Sequence, residues 1–300
     1  PTILLAREAK KHVSVVLTGD GGDEIFGGYN RHVMAPMLWN FSRIFPSVVK
    51  KSFFSFLSRY HNQRNIELSN FRFFLKRFGL SPQLLLKASN LSQILSRANS
   101  YPDLYDQLTS IFYDPDELII KKDIENENNF LKDYLDSNLS KSRWMMLMDS
   151  LIYLPGDILT KVDRASMSAS LETRAPFLDR RVVEVASDID TKHLIRNRQG
   201  KYILRHILSK HLPQHLFERP KQGFTIPLDK WLREELREWC EDLLSSKKIK
   251  EFNIFEPNIV KKLWEDHIHH NGNHAAKLWA ILVFQSWLEQ WGDLAIKNLK

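Results

Sequence analysis

The pattern of apolar and polar positions predicts one short strand among many helices. Val13, Val15, Val16 and Leu17 form a compact, mainly β-branched apolar run, which predicts a buried parallel strand. Residues 3–11 have the spacing of a short helix, and most segments after the strand also have helical spacing. No comparable strand follows, and a parallel strand needs neighbours on both sides. We therefore expect the chain to begin within a domain, with the rest of the sheet upstream.

Helical periodicity is clearest in the last third of the chain, behind Pro227. There, apolar residues recur every three or four positions, and we expect these stripes to form core. The stripes are Leu228, Trp231, Leu232, Leu236, Trp239 and Leu243; Val260, Leu263 and Trp264; and Leu278, Ile281, Leu282 and Leu288.

Earlier segments predict further helices, several of them bounded by proline. An apolar run predicts a buried helix over 141–154 that ends at Pro155-Gly156. Residues 181–187 and 201–212 are also predicted helices. Short helices broken at Pro36 and Pro46 are expected over 34–60, and small helices joined by loops over 61–100.

Composition limits the classes of protein that fit. With 300 residues and 43% hydrophobic residues, the chain can form one large domain or two modest ones. The net charge of +7 suits an anionic ligand or an acidic partner chain, but the basic residues are scattered, which disfavours nucleic-acid binding. The single cysteine, Cys240, allows no internal disulfide and fits a reducing cytoplasm. No apolar stretch is long enough to span a membrane.

The segment directly after the predicted strand has the composition of a ligand-binding turn. Ligands of open α/β sheets bind outside the carboxyl ends of the strands. The turn holds three glycines, which allow close approach of the backbone to a ligand, and three crowded carboxylates, which favour a cation such as Mg²⁺ bridging to phosphate. These residues are Gly19, Gly21 and Gly22, and Asp20, Asp23 and Glu24. The alternative is a tight loop whose acids face water. The segment is neither Gly-x-Gly-x-x-Gly nor a Walker A loop.

Charged residues form two further patches. Asp157 and Lys161 have the spacing of an ion pair on one helix face, which taken alone indicates a solvated surface. Glu172, Arg174 and Asp179 flank Pro176-Phe177, and we expect them to be paired and partly buried.

A third patch is the loop from Glu218 to Pro227. It offers Arg219 and Lys221, which suit either a phosphate or an ordinary connector. Farther along, the H-x-H-H spacing at residues 267–270 does not place three ligands on one helix face, so a metal site is disfavoured there.

Taken together, these patches resemble the synthetase domain of glutamine-dependent asparagine synthetases. The matching motifs occur in the family's order over about residues 1–240, although residues 40–140 contribute little. They are Thr18-Gly-Asp-Gly-Gly-Asp-Glu with Gly27-Gly28-Tyr29, Lys161-Val-Asp-Arg-Ala-Ser-Met with Glu172-Thr-Arg-Ala-Pro-Phe-Leu-Asp, Lys201-Tyr-Ile-Leu-Arg, and Arg219-Pro-Lys-Gln-Gly-Phe.

The resemblance implies a fold and a reaction. The fold is an α/β ATP pyrophosphatase type, similar to the adenine nucleotide alpha hydrolases, of which this chain would be a mostly helical portion with a remnant of the parallel sheet. The family adenylates the aspartate side-chain carboxylate with Mg-ATP and releases pyrophosphate. Ammonia, which an N-terminal glutaminase domain obtains from glutamine, then displaces AMP to give asparagine.

The resemblance also implies a role for each matching site residue. Asp23 would bind Mg²⁺, while Thr18, Gly19, Asp20 and Gly21 would line the nucleotide. Asp20, partnered by Asp157, would act on the attacking amine. Lys201 and Lys221 would contact phosphates, with Lys221 absorbing transition-state charge.

The chain departs from the family pattern in ways that change the expected layout. The pyrophosphate loop Ser-Gly-Gly-x-Asp-Ser and the N-terminal cysteine of the glutaminase domain are missing. We therefore expect a C-terminal portion of the synthetase domain that is inactive alone. Residues 1–30 would end the nucleotide-binding sheet, 31–140 would form a variable helical insert, and 141–300 the helical remainder. Thr18 for serine and Asp20 for glutamate preserve the chemistry.

Alternatives remain open at this point. Related enzymes use the same scaffold on sugar acids or on precursors of β-lactams and lasso peptides, so the substrate acid is less secure than the adenylation. The alternative from another class is a non-catalytic helical module whose basic surface binds a partner chain or nucleic acid, and a homodimer also stays open.

Overall fold

The computed structural model describes residues 1–44, 94–95, 98–112, 115–120, 138–218 and 226–297. Within these ranges the chain is mostly helical, with one small parallel sheet. Three predicted segments lie outside the described residues: the helices over 45–60 with the break at Pro46, most of the helices and loops over 61–100, and the loop with Arg219 and Lys221. The described chain divides into two compact units.

The first unit holds residues 1–44, 94–95, 98–108 and 138–218. Its elements are α1 (Thr2–Lys10), β1 (Val15–Leu17), α2 (Gly22–Ile25), α3 (Asn30–Ile44), α4 (Tyr101–Thr109), α5 (Lys141–Met148), a π-helical segment (Asp149–Leu159), α6 (Thr160–Met167), β2 (Glu172–Arg174), a 3₁₀ turn (Pro176–Leu178), α7 (Arg180–Asp188), α8 (Thr191–Leu194), α9 (Tyr202–Leu208) and a second 3₁₀ turn (Gln214–Leu216). The helices predicted over 3–11, 181–187 and 201–212 are confirmed, the last in a shorter form.

The sheet of this unit pairs β1 in parallel with β2, with Val16 opposite Thr173. The prediction that no second strand follows is therefore wrong. The three residues of β2 are polar and too few to show an alternating pattern, so the sequence indicates only a charged patch there. The burial predicted for β1 is also wrong, since Leu17 is 74% exposed in the described structure. Helix α6 packs against β2, and α1 packs against α6.

The charged side chains of β2 are paired but exposed, which corrects the expected burial. The Nε atom of Arg174 lies 2.7 Å from a carboxylate oxygen of Glu172, and more than half of each side chain is exposed. Asp179 pairs with Arg181 and caps the first turn of α7, where its side chain accepts a hydrogen bond from the Arg181 backbone. The alternation of a strand turns the first and third residues of β2 to the same, solvent-facing side.

Helix α3 passes through Pro36, so the predicted break at this residue is wrong. A proline inside a helix leaves the carbonyl four residues earlier without its usual donor. Here that carbonyl belongs to His32, and it accepts a hydrogen bond of 2.8 Å from the Ser142 hydroxyl on α5. The packing of α5 against α3 thus satisfies the group that the proline leaves free.

A second predicted break, at Pro155-Gly156, is also wrong. Helix α5, the π-helical segment and α6 form one continuous helical stretch in which Pro155 is internal. The wider hydrogen bonding of the π-helix accommodates the proline locally. The Thr160 hydroxyl donates to the Pro155 carbonyl at 2.8 Å, which gives this carbonyl a side-chain donor within the helical stretch.

The second unit holds residues 109–112, 115–120 and 226–297. After a 3₁₀ turn (Pro115–Glu117) it contains α10 (Leu228–Arg233), α11 (Arg237–Leu243), α12 (Ser246–Glu251), α13 (Pro257–Ile268) and α14 (Ala275–Lys297). Most residues of the predicted stripes lie in or against its apolar core, among them Leu232, Leu243, Val260, Leu278 and Ile281. Trp239 is more than one-third exposed, so the stripe prediction is wrong at that position.

Two features of the chain bear on redox state and membranes. Cys240 is buried in α11 and forms no disulfide, and burial raises the pKa of its thiol to about 11. Among the described helices, none has the length and apolar character needed to cross a bilayer.

Candidate active site

The candidate site lies in the first unit, at the carboxyl end of β1. The Thr18 backbone N–H donates to the Arg174 carbonyl at 2.8 Å, which extends the ladder of the sheet by one residue. The Thr18 hydroxyl oxygen is buried and has no hydrogen-bond partner among the described residues. A side chain added at Gly19 would meet nothing within 4 Å. The turn therefore offers an open backbone surface beside an unsatisfied hydroxyl.

Two glycines of the signature segment are required by its geometry. Gly21 has a left-handed backbone with φ of 82°, and a Cβ at this position would collide with the Leu178 side chain. A Cβ at Gly28 would collide with the side chains of Asp23 and Lys201. The absence of a side chain at Gly28 thus leaves the space in which those two charged groups meet.

Asp23 and Lys201 form an ion pair in that space. The Lys201 ammonium lies 3.0 Å from a carboxylate oxygen of Asp23, and about 26% of the Lys201 side chain and 32% of the Asp23 side chain remain exposed. The Lys201 backbone N–H donates to the Phe26 carbonyl at 3.0 Å. Lys201 itself has a left-handed conformation, with φ of 56°. The predicted metal ligand and one predicted phosphate contact are therefore brought together by the fold.

Asp20 and Asp157 occupy neighbouring elements without a direct interaction. Helix α2, which follows Asp20, packs against the π-helical segment that carries Asp157. No hydrogen bond or ion pair joins the two carboxylates in the described part of the chain, and none joins Asp157 to Lys161. Burial raises the pKa of the Tyr153 hydroxyl, and the negative charge of Asp157 on the same segment raises this pKa further.

Glu24 does not lie with Asp20 and Asp23 in the cluster of carboxylates predicted for the turn. Its carboxylate is buried and accepts a hydrogen bond of 2.5 Å from the Tyr29 hydroxyl. Burial and the adjacent Glu24 raise the pKa of Tyr29 above its usual range. The prediction that the Glu24 carboxylate faces a ligand is therefore wrong, because Glu24 is one of the buried residues of α2 and its carboxylate bonds to Tyr29.

Sequence reasoning missed a buried polar network centred on Asp149. The Asp149 carboxylate is fully buried and contacts three side chains from two other helices. The distances to a carboxylate oxygen of Asp149 are 2.8 Å from the Arg31 Nε, 2.6 Å from the His32 Nε2 and 2.8 Å from the Tyr105 hydroxyl. Burial alone would raise the pKa of Asp149, but the hydrogen bonds from His32 and Arg31 hold it below its usual value. The available signal was a lone acid within the apolar run of the predicted helix over 141–154.

The guanidinium of Arg31 also lies against two aromatic rings. Its carbon is 4.1 Å from the centre of the Tyr29 ring and 4.9 Å from that of Tyr153. Both distances fall within the range of a cation–π interaction. The two rings meet edge to face, with centres 5.8 Å apart. Arg31 therefore connects the buried Asp149 with the rings of both tyrosines.

The residues of the turn fit a phosphate-bound divalent cation better than a metal held by protein alone. Among the described residues, no group of three or more His, Cys, Asp or Glu side chains could hold a metal. Mg²⁺, however, is commonly bound by one or two carboxylates together with substrate phosphates. Asp23 is a partly exposed carboxylate of this kind, and Thr18 and Gly19 leave room for a ligand beside it.

Comparison with known proteins identifies the family. The family described as asparagine synthase matches residues 1–289. The chain is 31% identical over 296 residues to asparagine synthetase [glutamine-hydrolyzing] 1 of Bacillus subtilis (strain 168), an alignment that covers 96% of this chain and 42% of that protein. It is 30% identical over 296 residues to the putative asparagine synthetase [glutamine-hydrolyzing] of Mycobacterium tuberculosis (strain ATCC 25618 / H37Rv), covering 96% and 41%.

A shorter match is closer in sequence. Over 33 residues, 11% of this chain and 6% of the relative, the chain is 58% identical to the putative asparagine synthetase [glutamine-hydrolyzing] 2 of Methanocaldococcus jannaschii. No solved structure gives a significant match. The alignments with the Bacillus and Mycobacterium relatives cover almost all of this chain, which spans about two fifths of the length of each relative. Because the family match covers nearly the whole sequence, this chain belongs to the asparagine synthase family.

Proposed function

We propose that this chain carries the ATP-dependent, amide-forming activity of a glutamine-hydrolysing asparagine synthetase. In this reaction, the aspartate side-chain carboxylate is adenylated with release of pyrophosphate, and ammonia derived from glutamine then displaces AMP to give asparagine. The family match and the names of the relatives support the reaction class. Since the chain spans about two fifths of those relatives, the activity of the whole protein is part of the proposal.

The observation that carries the proposal is the Asp23–Lys201 pair beside an open turn. A carboxylate for a cation and an ammonium for phosphate lie 3.0 Å apart at the end of a parallel strand. The neighbouring Thr18 hydroxyl is buried without a partner. Such an arrangement suits a polyphosphate chain, which carries negative charge along its length and needs both kinds of contact.

Each residue of the turn then has a part in binding ATP. Thr18, Gly19, Asp20 and Gly21 line the nucleotide through the open backbone surface, and Asp23 holds Mg²⁺. The bound ion supplies charge neutralisation at the phosphates. Lys201 binds a phosphate as a point charge, while Lys221, in the loop outside the described residues, stabilises the charge that develops as pyrophosphate leaves.

The proton transfers of amide formation fall to Asp20 and Asp157. As the ammonia nitrogen bonds to the acyl carbon, the bond from that carbon to the AMP oxygen breaks, and the nitrogen must lose one proton. Two carboxylates on neighbouring elements can accept and hold this proton. Cys240 is buried and its thiol pKa is raised, so it does not act as the nucleophile that releases ammonia from glutamine. That step is assigned to a separate glutaminase domain, and the reaction to the cytoplasm.

The proposal is tested by exchange of labelled pyrophosphate into ATP in the presence of Mg²⁺ and aspartate. The assay is run on this chain and on the full-length gene product. We expect aspartate-dependent exchange from the full-length gene product and not from this chain alone, and in the full-length product Lys201→Ala should lower it by about 10²–10³-fold while Lys192→Ala preserves it. Lys192 is a matched control because its ammonium also lies 3.0 Å from a carboxylate, that of Asp190, on the surface of the same unit.

Two results would change the conclusion. Exchange that depends on another carboxylic acid, such as a sugar acid or a β-lactam or lasso-peptide precursor, would keep the adenylation and replace the substrate. Absence of exchange with aspartate and with this whole panel, from folded full-length protein, would remove the adenylation itself and favour a non-catalytic helical module.

A further inference from the structure

Lys201 enters the candidate site from a left-handed backbone conformation. Its φ is 56°, which few residues with a side chain adopt because this conformation costs free energy. The Lys201 N–H donates to the Phe26 carbonyl at 3.0 Å, and the Lys201 carbonyl accepts a hydrogen bond of 3.0 Å from the Arg205 N–H. Because both backbone polar groups are bonded, the direction in which the side chain leaves the backbone is fixed.

Gly200, the residue before the lysine, lies directly against the backbone of the signature segment. A Cβ at Gly200 would collide with the Gly27 carbonyl oxygen and would lie 3.3 Å from the Gly28 Cα. These atoms belong to the backbone, so they cannot swing aside as the end of a long side chain can. The Gly200 carbonyl also accepts a hydrogen bond of 3.3 Å from the Arg205 Nε. Only glycine therefore allows residues 200 and 201 to approach the segment this closely.

The turn Arg196–Gln199, directly before this glycine, is closed by its own backbone. Its two end residues exchange hydrogen bonds of 3.0 and 2.8 Å. Its two central residues, Asn197 and Arg198, both have positive φ, as in a type I′ turn. The Arg196 guanidinium donates to the Tyr202 hydroxyl at 3.1 Å, on the far side of the lysine along the chain. The lysine is therefore held from both sides.

The side chain of Lys201 crosses the same signature segment. A Cβ at Gly28 would collide with the Lys201 Cε, and a Cβ at Gly22 would lie 3.5 Å from the Lys201 Nζ. The Nζ lies 3.0 Å from a carboxylate oxygen of Asp23. Contacts with one short segment thus set both the start and the end of this side chain. A shift of the backbone at residue 200 would carry the ammonium away from Asp23.

We propose that Gly200 is a positioning residue, whose close contact with the Gly27 backbone aims the Lys201 ammonium at the phosphates of Mg-ATP. This inference rests on the proposed function, because it assigns a support to the lysine of that site. A point charge must lie at contact distance from a phosphate, and an error of about 1 Å in a positioned group can cost about 10²-fold in rate. A methyl group at Gly200 must push the two segments apart.

The lysine itself distinguishes this role from a general need for glycine in the fold. If Gly200 acts through Lys201, its replacement has little left to impair once the ammonium has been removed. If Gly200 only maintains the fold, the loss of activity is the same with and without the ammonium. A double-mutant cycle with Lys201→Ala separates the two cases.

The experiment compares Gly200→Ala, Lys201→Ala and the double variant with wild type, all as full-length protein. Three quantities are measured: aspartate-dependent pyrophosphate exchange over a range of Mg-ATP concentrations, the Kd of Mg-ATP without aspartate, and the melting temperature. If Gly200→Ala does not fold, Arg205→Met takes its place in the same cycle. That variant removes the side-chain donor to the Gly200 carbonyl and adds no atom at the contact with Gly27.

Two variants serve as controls. Arg198→Gly alters the exposed turn beside Gly200 and relieves a left-handed arginine, so exchange should stay within about twofold of wild type and the melting temperature should not fall. Gly292→Ala places a Cβ against the Phe252 ring in the second unit. It should lower the melting temperature by a similar collision and leave exchange within about twofold of wild type.

For Gly200→Ala, we expect exchange lowered about tenfold or more, weaker binding of Mg-ATP, and less than about twofold further loss in the Lys201→Ala background. Arg205→Met should show the same coupling, with a loss of about threefold or more. Loss by the same factor in both backgrounds, unchanged exchange in the folded variant, or an equal loss in either control would overturn the inference while leaving the proposed function in place. A wild-type protein without exchange would overturn the proposed function, and the inference with it.

Discussion

The Lys201 ammonium lies 3.0 Å from a carboxylate oxygen of Asp23, although the two residues are far apart in the chain. Gly28 leaves the space that both side chains fill, and the Lys201 backbone N–H bonds to the Phe26 carbonyl. Before any ligand binds, the lysine thus neutralises the carboxylate that we assign to Mg²⁺. Binding of Mg-ATP would replace this pair by contacts from the carboxylate to the ion and from the ammonium to phosphate.

Replacement of Lys201 by alanine should lower pyrophosphate exchange by about 10²–10³-fold, the usual effect of removing one donor to developing charge. The side chain is partly exposed, so the change in the free energy of unfolding should stay within about 1 kcal/mol. Exchange rates and urea unfolding are measured on the same preparations. Activity within threefold of wild type would remove Lys201 from the phosphate site.

Gly28→Ala should damage the same pair by filling its space. The new methyl group would meet the Asp23 and Lys201 side chains, which must then separate. We expect reduced exchange and a lower melting temperature. Gly156→Ala is the matched control for melting temperature, because a Cβ there meets nothing within 4 Å and alanine suits a helical stretch. Equal melting temperatures for the two variants would contradict the described packing around Gly28.

The sequence predicted this region in part. The strand, the glycine turn and most helices follow from local patterns, and the order of the motifs indicated the family. The pairing of β1 with β2 could not be predicted, since β2 is short and polar, and its pairing depends on residues distant in sequence. The continuity of the helix through Pro36 depends on the Ser142 hydroxyl, and the continuity through Pro155 on a π-helical segment, and no local pattern reveals either.

The hydrogen bond from the Ser142 hydroxyl to the His32 carbonyl predicts that substitutions at Ser142 and Pro36 have coupled effects on the free energy of unfolding. Ser142→Ala removes the donor to the His32 carbonyl and should lower the free energy of unfolding by about 1–2 kcal/mol, because that carbonyl is then unsatisfied. In a Pro36→Ala background, the restored backbone N–H can bond to the same carbonyl, so the effect of Ser142→Ala should be smaller. A double-mutant cycle by urea unfolding measures this difference. Strictly additive effects would argue against the compensation.

The Asp149 network predicts a dependence of stability on acidity. The pKa of Asp149 is lower in the folded protein than its usual value, because hydrogen bonds from His32 and Arg31 outweigh the effect of burial. The carboxylate therefore contributes stability above the unfolded pKa of about 3.9, and this contribution is lost as pH falls through the lower folded value. Breaking a buried pair of this kind costs about 3–5 kcal/mol.

Asp149→Asn should accordingly unfold more easily near neutral pH and show a weaker dependence of stability on pH below about 4. Urea unfolding at a series of pH values provides the measurement. Asp116→Asn, at an exposed carboxylate, is the control and should stay within about 0.5 kcal/mol of wild type. An Asp149→Asn variant with the wild-type acid profile would show that the network does not govern acid unfolding.

The central claim, adenylation of the aspartate side chain, is tested most directly by following a carboxylate oxygen. Aspartate carrying a heavy oxygen isotope in its side-chain carboxylate is incubated with Mg-ATP, ammonium and the full-length protein, and the AMP is analysed by mass spectrometry. The account predicts that one labelled oxygen appears in AMP for each asparagine formed, since displacement of AMP leaves that oxygen on its phosphate. Asparagine formed together with unlabelled AMP, or no asparagine at all, would contradict it.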